Sequence, residues 1–414
     1  MIAKRRTITA IDVGTCKVST AIAALDEGKI ELLGLSSRPS RGLRKGIIVN
    51  FSQAVECIKS SLEEAERQAG TVAESAFAAV GSPYVLGVNC SGSSEVLSKG
   101  YEISNEDIRR AVEMARAFPL PDNSQILHIL QRSFRVDGQR GISNPLGMRG
   151  RHLEANVHLI LNASSVVNNL VNAINKTGVV VEAVVVQQLA AGMAALSQDE
   201  RELGTLLIDV GGGTTDVALY RQGGICHSQS LALGGGRITQ DIAIGLKASL
   251  EEAERLKRTK VTVDLISVPD GDLVEVTGLG NGHRQSLSRQ LLCRIAQARC
   301  DEILNQVLEV CQAQQIRKDL ISGAVITGAG TLLEGFLERA QEILGFPVRR
   351  GFPCNVVRPG HEACHPSLSA VLGLVAYARD FESEMASSPG SLNVPLSRLM
   401  SGRKVRNWFL DRLS

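Results

Sequence analysis

TLLIDVGGGTTD, residues 205–216, decides how this chain is read. Apolar and β-branched residues run into Asp209, and Gly211, Gly212 and Gly213 then break the run before Thr214, Thr215 and Asp216. Such runs favour strands, and consecutive glycines favour a tight turn. Residues 215–220 (TDVALY) supply a returning strand, so the stretch is a hairpin with a carboxylate at the mouth of its turn. A shorter copy stands about half a chain earlier. There Ile11-Asp12-Val13-Gly14-Thr15 closes a strand over 7–13 (TITAIDV) and leads into a second strand over 17–24 (KVSTAIAA). A repeated strand–Asp–Gly–Thr hairpin predicts two related halves that face each other.

The chemistry that fits such a pair is phosphate binding. Backbone N–H groups reach a phosphate chain only where no Cβ intrudes, and glycine turns supply them. Mg²⁺ takes oxygen ligands, often through retained waters. Asp12 and Asp209 are placed to hold hydrated Mg²⁺ from opposite sides. Gly14, Thr15, Gly211, Gly212, Gly213, Thr214 and Thr215 can wrap β- and γ-phosphates, with Lys17 as counter-charge. Either hairpin alone is also readable as an ordinary tight turn; the duplication favours phosphate. A third turn, Gly328-Ala329-Gly330 after the strand 323–327, opens a helix, a geometry on which sugar and base can lie. Glu254 and Lys257 stand one turn apart on a helix, as a surface pair or as reach toward the ribose and base.

Outward from these motifs, 414 residues exceed what one core fills. The spacing predicts a third strand over 30–36, a helix over 52–69 with Ser52 as N-cap, and a strand over 75–80. Residues 84–162 change character. Their glycine turns, the capped helix from Ser104 to Ala117, the break at 119–121 and a long loop from Gly138 to Gly150 read as an inserted small α+β domain. Helix (165–176), strand (179–186) and helix (187–197) follow, then the second hairpin, a mostly helical stretch over 237–308 with a polar strand region inside it, and a helix over 366–385.

Residues 386–397 (ASSPGSLNVPLS) have linker composition. The tail from Arg403 reads RKVRNWFLDRLS, and on a helix Val405, Trp408, Phe409 and Leu413 share one face, with Arg403, Lys404 and Arg406 among the polar remainder. Twelve residues rise only about 18 Å, so this helix is too short to span a bilayer and is expected to lie in the interface of an anionic membrane. A final helix docked on the protein body would show the same pattern.

Composition removes other classes. A net charge of +2 and 3% aromatics argue against nucleic acid, because single-strand binders need stacking platforms. The run Arg132, Arg135, Arg140, Arg149 and Arg151 reads as a solvated loop. Nine Cys without a CxxC pair read as buried thiols of a reducing compartment. Cys354, His361, Cys364 and His365 fit no standard zinc spacing. Lys4, Arg5 and Arg6 precede no apolar stretch of the signal-peptide kind, and no run approaches the roughly 18 apolar residues of a spanning helix.

The two hairpins, the Ile326–Gly330 turn and the Ala253–Lys257 helix stand in the order of the actin, sugar-kinase and heat-shock-chaperone superfamily. Within it, Pro39-Ser40-Arg41-Gly42 through Lys45-Gly46, Asn144-Pro145-Leu146-Gly147, Val157-His158-Leu159-Ile160 and Asp199-Glu200-Arg201-Glu202-Leu203-Gly204 resemble the bacterial cell-division family FtsA. The likeness covers residues 7–381 and the tail. It implies an α/β, actin-like two-lobed fold with duplicated ribonuclease-H-like cores, an inserted small α+β subdomain and a C-terminal amphipathic helix. The first core would take 1–83 and 163–200, an SHS2-like insertion 84–162, the second core 201–233 and 307–385, and a further subdomain 234–306. A linker (386–397) and the membrane-targeting helix (398–414) would complete the chain.

The resemblance also implies function: ATP with Mg²⁺ in the cleft, self-assembly into polymers through 84–162, and attachment to anionic lipid on the cytoplasmic face of the inner membrane at the division septum. Its implied partners are the C-terminal peptide of the tubulin-like protein FtsZ, bound on 234–306, and other divisome proteins. Arg299 is the candidate contact for an acidic peptide, against the alternative of a solvated helix Arg. The residue that orients water for attack on the γ-phosphate falls in Val186-Gln187-Gln188-Leu189, where Gln188 aligns best. Actin similarly has Gln here, whereas the shape protein MreB has Glu. Gln positions water but is a poor base, so ATP is expected to act mainly as a conformational ligand with slow hydrolysis at most. The competing readings are a PilM-like pilus-assembly protein and an ATPase or kinase of the same superfamily.

Overall fold

The structure, a computed structural model, describes residues 6–26, 29–279, 284–316, 320–354 and 364–387. The tail helix, most of the linker and His361 lie outside the described residues.

The chain opens with a meander, β1 (Arg6–Val13), β2 (Lys17–Asp26) and β3 (Lys29–Pro39). A small hairpin follows, β4 (Leu43–Arg44) and β5 (Ile47–Ile48), then α1 (Phe51–Ala69) and β6 (Ser75–Val80). The cap of α1 is Asn50, whose side chain accepts from the Gln53 N–H at 3.2 Å, so Ser52 falls inside the first turn. Gly70 ends the helix at φ 65, a left-handed conformation that glycine adopts without a Cβ penalty. The insertion contributes β7 (Leu86–Glu95), α2 (Asn105–Arg116), β8 (Ser124–Val136), β9 (Gln139–Ile142) and β10 (His152–Ala163). Ser104 and Asp107 form a reciprocal capping box at α2, and β9 occupies part of the expected loop.

The first core resumes with α3 (Ser164–Asn175), β11 (Val180–Val186), α4 (Gln187–Ala195) and α5 (Gln198–Leu203). The expected single helix over 187–197 breaks at Leu196 because Ser197 caps a new one. The second core holds β12 (Thr205–Val210), β13 (Thr215–Arg221), β14 (Gly224–Leu231), α6 (Gly235–Gly245) and α7 (Leu250–Lys260). The hairpin β15 (Leu273–Thr277) and β16 (Arg284–Ser288), α8 (Arg289–Ala313), β17 (Ala324–Thr327), α9 (Phe336–Leu344), β18 (Val348–Arg350) and α10 (Ser369–Ser387) complete it.

The duplication is visible in the sheets. One runs β11-β6-β1-β2-β3, and the second core repeats it as β18-β17-β12-β13-β14. In each, an antiparallel three-stranded meander is extended on one side by two parallel strands. The centre of the first sheet is covered on both faces, so β1 beyond Thr7 and β6 beyond Ser75 are buried continuously. Ile8 and Ala10 of β1 join one cluster with Phe77, Ala79, Ala183 and Val185. Ile11 and Val13 join another with Ala76, Ala78, Val80, Val184 and Val186. That is the period of two expected for a strand between helices.

Helix α10, which the sequence places with the second core, covers the first instead. Its Val371, Leu372, Leu374, Val375 and Tyr377 pack on β1, β2, β6 and α4. Gly373 permits the approach, because a Cβ there would overlap the Ala190 carbonyl oxygen of α4.

The insertion enters and leaves through one neck, where buried Ser82 donates to Asn162 Oδ1 at 2.8 Å. Its strands, ordered β7-β10-β8-β9, extend the second core's sheet into one of nine strands. The seam is Gln229 of β14 paired with Leu86 of β7. Asn89 Nδ2 donates across it to the Cys226 carbonyl at 3.1 Å, and His158 Nε2 meets Ser228 Oγ at 2.8 Å.

Candidate functional site

Strands β1 and β12 each deliver an aspartate to the centre of the molecule. Both turns then close with the same bond: the Gly14 N–H donates to the Lys17 carbonyl at 2.9 Å, and the Gly211 N–H to the Thr214 carbonyl at 3.0 Å. The turns meet tip to tip. A Cβ at Gly212 would overlap Cys16 Sγ, and one at Gly213 would overlap Thr15 Oγ1 and lie 2.8 Å from Lys45 Cα. Only residues without a Cβ allow this approach.

Asp12, Asp209 and Asp216 are all buried. Burial pushes Asp209 up to about 8, with the Asp216 and Asp12 carboxylates adding to the rise and Lys17 opposing it. Asp216 rises to about 6, again through burial, against hydrogen bonds from Ser230 and Thr214. Asp12 is raised by burial, opposed by Lys17 and by Gln187. Lys17 is lowered by burial while Asp12 and Asp209 hold it up, and its ammonium donates to the Ser367 carbonyl. Asp12 and Asp209 share one lysine while Asp216 stands beside them with none, so the site is short of positive charge, and that donor set fits a hard divalent cation. Among the described residues no group of three or more His, Cys, Asp or Glu is arranged to hold a metal. Asp12 and Asp209 would therefore act through retained waters, as Mg²⁺ permits.

Around the second turn lies a glycine run that the sequence reading passed over. At the start of α6, the Gly235 N–H donates to the Gly211 carbonyl at 2.9 Å and the Gly236 N–H to the Gly212 carbonyl at 2.8 Å. A Cβ at Gly234 would come 2.7 Å from the Gly211 carbonyl oxygen. The signal was present as LGGGR between a strand and a helix, a combination that brings backbone N–H groups to a helix N-terminus. A Cβ at Gly328, which stands at φ +88, would overlap Asp209 Oδ1 and the Val210 carbonyl, and one at Gly330 would overlap the Val210 side chain. Ala329 begins a short 3₁₀ turn ending at Leu332, and α9 starts only at Phe336.

Glu254 and Lys257 are not a simple surface pair. Lys257 Nζ lies 2.6 Å from Glu254, 2.8 Å from Thr239 Oγ1 and 3.3 Å from the Gly235 carbonyl, so α7 is tied to the start of α6. The two glutamines at the start of α4 divide their work. Gln187, partly exposed, donates through Nε2 to Asp12 Oδ1 at 2.8 Å. Gln188 is fully buried and donates to Ser230 Oγ at 3.0 Å; Ser230 in turn donates to Asp216. The accessible amide beside Asp12 is thus that of Gln187, whereas Gln188 ties α4 to the second core. On α8, Arg299 is half-buried and held by Asp241 at 2.6 and 3.2 Å and by Glu302.

The family model described as "Cell division protein FtsA" matches residues 206–373, and "SHS2 domain inserted in FTSA" matches 84–161. Cell division protein FtsA of Borreliella burgdorferi is 34% identical, covering 98% of this chain and 98% of its own length. That of Pseudomonas aeruginosa is 33% identical over 91% and 90%, and that of Escherichia coli 30% over 91% and 91%. Among solved structures, a PilM–PilN type IV pilus biogenesis complex superposes with TM-score 0.65 at 17% identity, covering 91% of this chain and 99% of that one. MreB5 of Spiroplasma citri bound to ADP gives 0.53 at 15%, covering 92% and 98%. Identities this low speak for the actin-like fold alone.

Proposed function

Because the chain belongs to the FtsA family of cell division proteins, we propose that it binds Mg·ATP between its two cores and assembles on the cytoplasmic face of the inner membrane, tethering FtsZ there. The observation that carries the nucleotide part is the pair of glycine turns meeting tip to tip over Asp12, Asp209 and Lys17. When bound, Mg²⁺ would neutralise phosphate charge and the excess of buried carboxylate. Gly14, Thr15 and Gly211–Thr215 wrap the phosphates, Gly234–Gly236 extend that cradle, and Gly328–Gly330 with Glu254 and Lys257 border the nucleoside. Gln187, whose amide donates to Asp12, would orient a water there. Gln lacks a proton acceptor of adequate basicity, so turnover falls well below the roughly 1–100 s⁻¹ of kinases.

The membrane part rests on the sequence of the tail. Val405, Trp408, Phe409 and Leu413 make an apolar face that Arg403, Lys404 and Arg406 complement with charge for anionic lipid. A single tail binds weakly, and a polymer presenting many binds by avidity. Polymer contacts are assigned to the insertion and the FtsZ peptide to 234–306. Arg299 contributes to that peptide site only if Asp241 and Glu302 release it.

Two measurements test the whole. Calorimetric titration should show Mg-dependent ATP binding, and its absence overturns the nucleotide reading. Trp408→Glu should leave the protein in the supernatant when anionic liposomes are pelleted; co-sedimentation equal to wild type overturns the anchor. A pilus role draws only on the likeness to PilM, which is a likeness of fold, whereas FtsA relatives match along nearly the whole chain.

A further inference from the structure

Between β3 and α1 the chain makes a closed strap. The Val49 and Asn50 N–H groups both donate to the Gly42 carbonyl, at 2.8 and 3.0 Å, and β4 and β5 pair within the loop so formed. Its tip is Lys45–Gly46. Lys45 stands at φ 52, a left-handed conformation unusual outside glycine, and Gly46 follows at φ 73. Three contacts hold the tip. The Gly46 N–H donates to Thr15 Oγ1 at 2.7 Å, in the first phosphate turn. A Cβ at Gly46 would overlap the Gly81 carbonyl oxygen at the end of β6, so the backbone is wedged there. Lys45 Cα stands 2.8 Å from where a Cβ of Gly213 would be, in the second phosphate turn. A first-core strap therefore rests on both turns at once. Strained backbone of this kind persists where its surroundings impose it, and such positions cluster at ligand clamps.

The charges nearby are mostly committed. Lys17 is engaged by Ser367 and by the fields of Asp12 and Asp209. Lys257 is engaged by Glu254, Thr239 and Gly235. Lys45 is half-buried, and among the described residues it carries no ion pair and no side-chain hydrogen bond. An ammonium on a flexible stem, mounted where two phosphate-binding turns meet, is equipped to take a phosphate oxygen.

We propose that Lys45 is a specificity-determining residue that reads the terminal phosphate of a bound nucleoside triphosphate, so that the strap distinguishes triphosphate from diphosphate. This rests on the nucleotide reading above and adds a residue to it. Lys17 lies beneath the turns with the carboxylates, whereas Lys45 sits at the tips, where the chain end of a triphosphate differs from that of a diphosphate. Thr15 and Gly81 act as positioning residues, since they fix the strap that carries the charge.

The test is titration of the full-length chain with Mg·ATP and Mg·ADP for wild type, Lys45→Gly and Lys45→Arg. Glycine accepts the positive φ without strain, so Lys45→Gly removes the charge and leaves the turn intact, and an unchanged or raised Tm checks this. Lys45→Gly should weaken ATP binding about tenfold and ADP binding less than about threefold, while Lys45→Arg retains most of the ATP preference. An ATP-to-ADP ratio the same in Lys45→Gly as in wild type overturns the role of Lys45 and leaves the site standing. Wild type binding neither nucleotide overturns the site and this inference together.

Discussion

Burial, and then the carboxylates of Asp216 and of Asp12 at the end of the first core's leading strand, push Asp209, at the end of the second's, up to about 8. Two carboxylates that repel in the absence of cation are what a Mg²⁺-assisted phosphate site presents. Asp209→Asn should therefore stabilise the nucleotide-free protein, by about 0.5–2 kcal/mol, while removing Mg-dependent ATP binding. Thermal melts with and without Mg·ATP check both: the variant should melt above wild type without ligand and gain nothing from it.

Gly212 faces Cys16 across the two turns with no room for a side chain. Gly212→Val should force the turns apart and abolish nucleotide binding, with the fold retained by circular dichroism. Unchanged ATP affinity in this variant would falsify the phosphate role of the turn.

The two glutamines of α4 give opposite expectations. Gln187→Ala removes the amide beside Asp12 and should reduce phosphate release several-fold with little change in stability. Gln188→Ala leaves the buried Ser230 hydroxyl without the amide that donates to it and should cost about 1–3 kcal/mol in urea denaturation. Equal effects of the two on turnover would count against this division.

His128 and His158 are buried and held neutral. Burial lowers His128 to about 4 and His158 to about 3, with His227 and Arg132 adding to the latter. The unfolded chain takes up these protons near pH 6.5 and the folded one does not. Stability is therefore intact above about 6.5 and is lost as pH falls toward 4. Each histidine contributes on the order of 2 kcal/mol to that loss. Urea midpoints measured from pH 7 to pH 4.5 should fall, and His158→Gln should flatten the fall. A profile identical to wild type in that variant would assign the acid sensitivity elsewhere.

Much of the site was legible because its signals are local. Asp12 and Asp209 each end an apolar strand beside glycines, and a strand with its turn needs only a few neighbouring residues to declare itself. Apart from the glycine run Gly234–Gly236, whose signal was local, what escaped depends on partners far along the chain. The apolar face of α10 shows that it is buried but not that it lies on the first core, where Gly373 meets Ala190. Gln187 and Gln188 differ by one residue, about 100° of helix, and only the position of Asp12 tells which one faces it. The bond from Gly46 to Thr15 joins residues 31 positions apart, so nothing in either segment advertises the strap. Pairing of Leu86 with Gln229 is likewise invisible to local pattern, because neither segment declares which partner it takes.

That last pairing has a mechanical meaning. The insertion is rooted in the first core through the Ser82–Asn162 neck, yet its edge is stitched to the second core at Gln229. It therefore braces one core against the other. Swinging the cores apart shears the rung at Leu86 and drags on Asn89 and His158, which bond to Cys226 and Ser228 on the far side. A load applied to the insertion is felt as a torque on the cleft, and gripping the insertion from outside stiffens a cleft that the grip never touches.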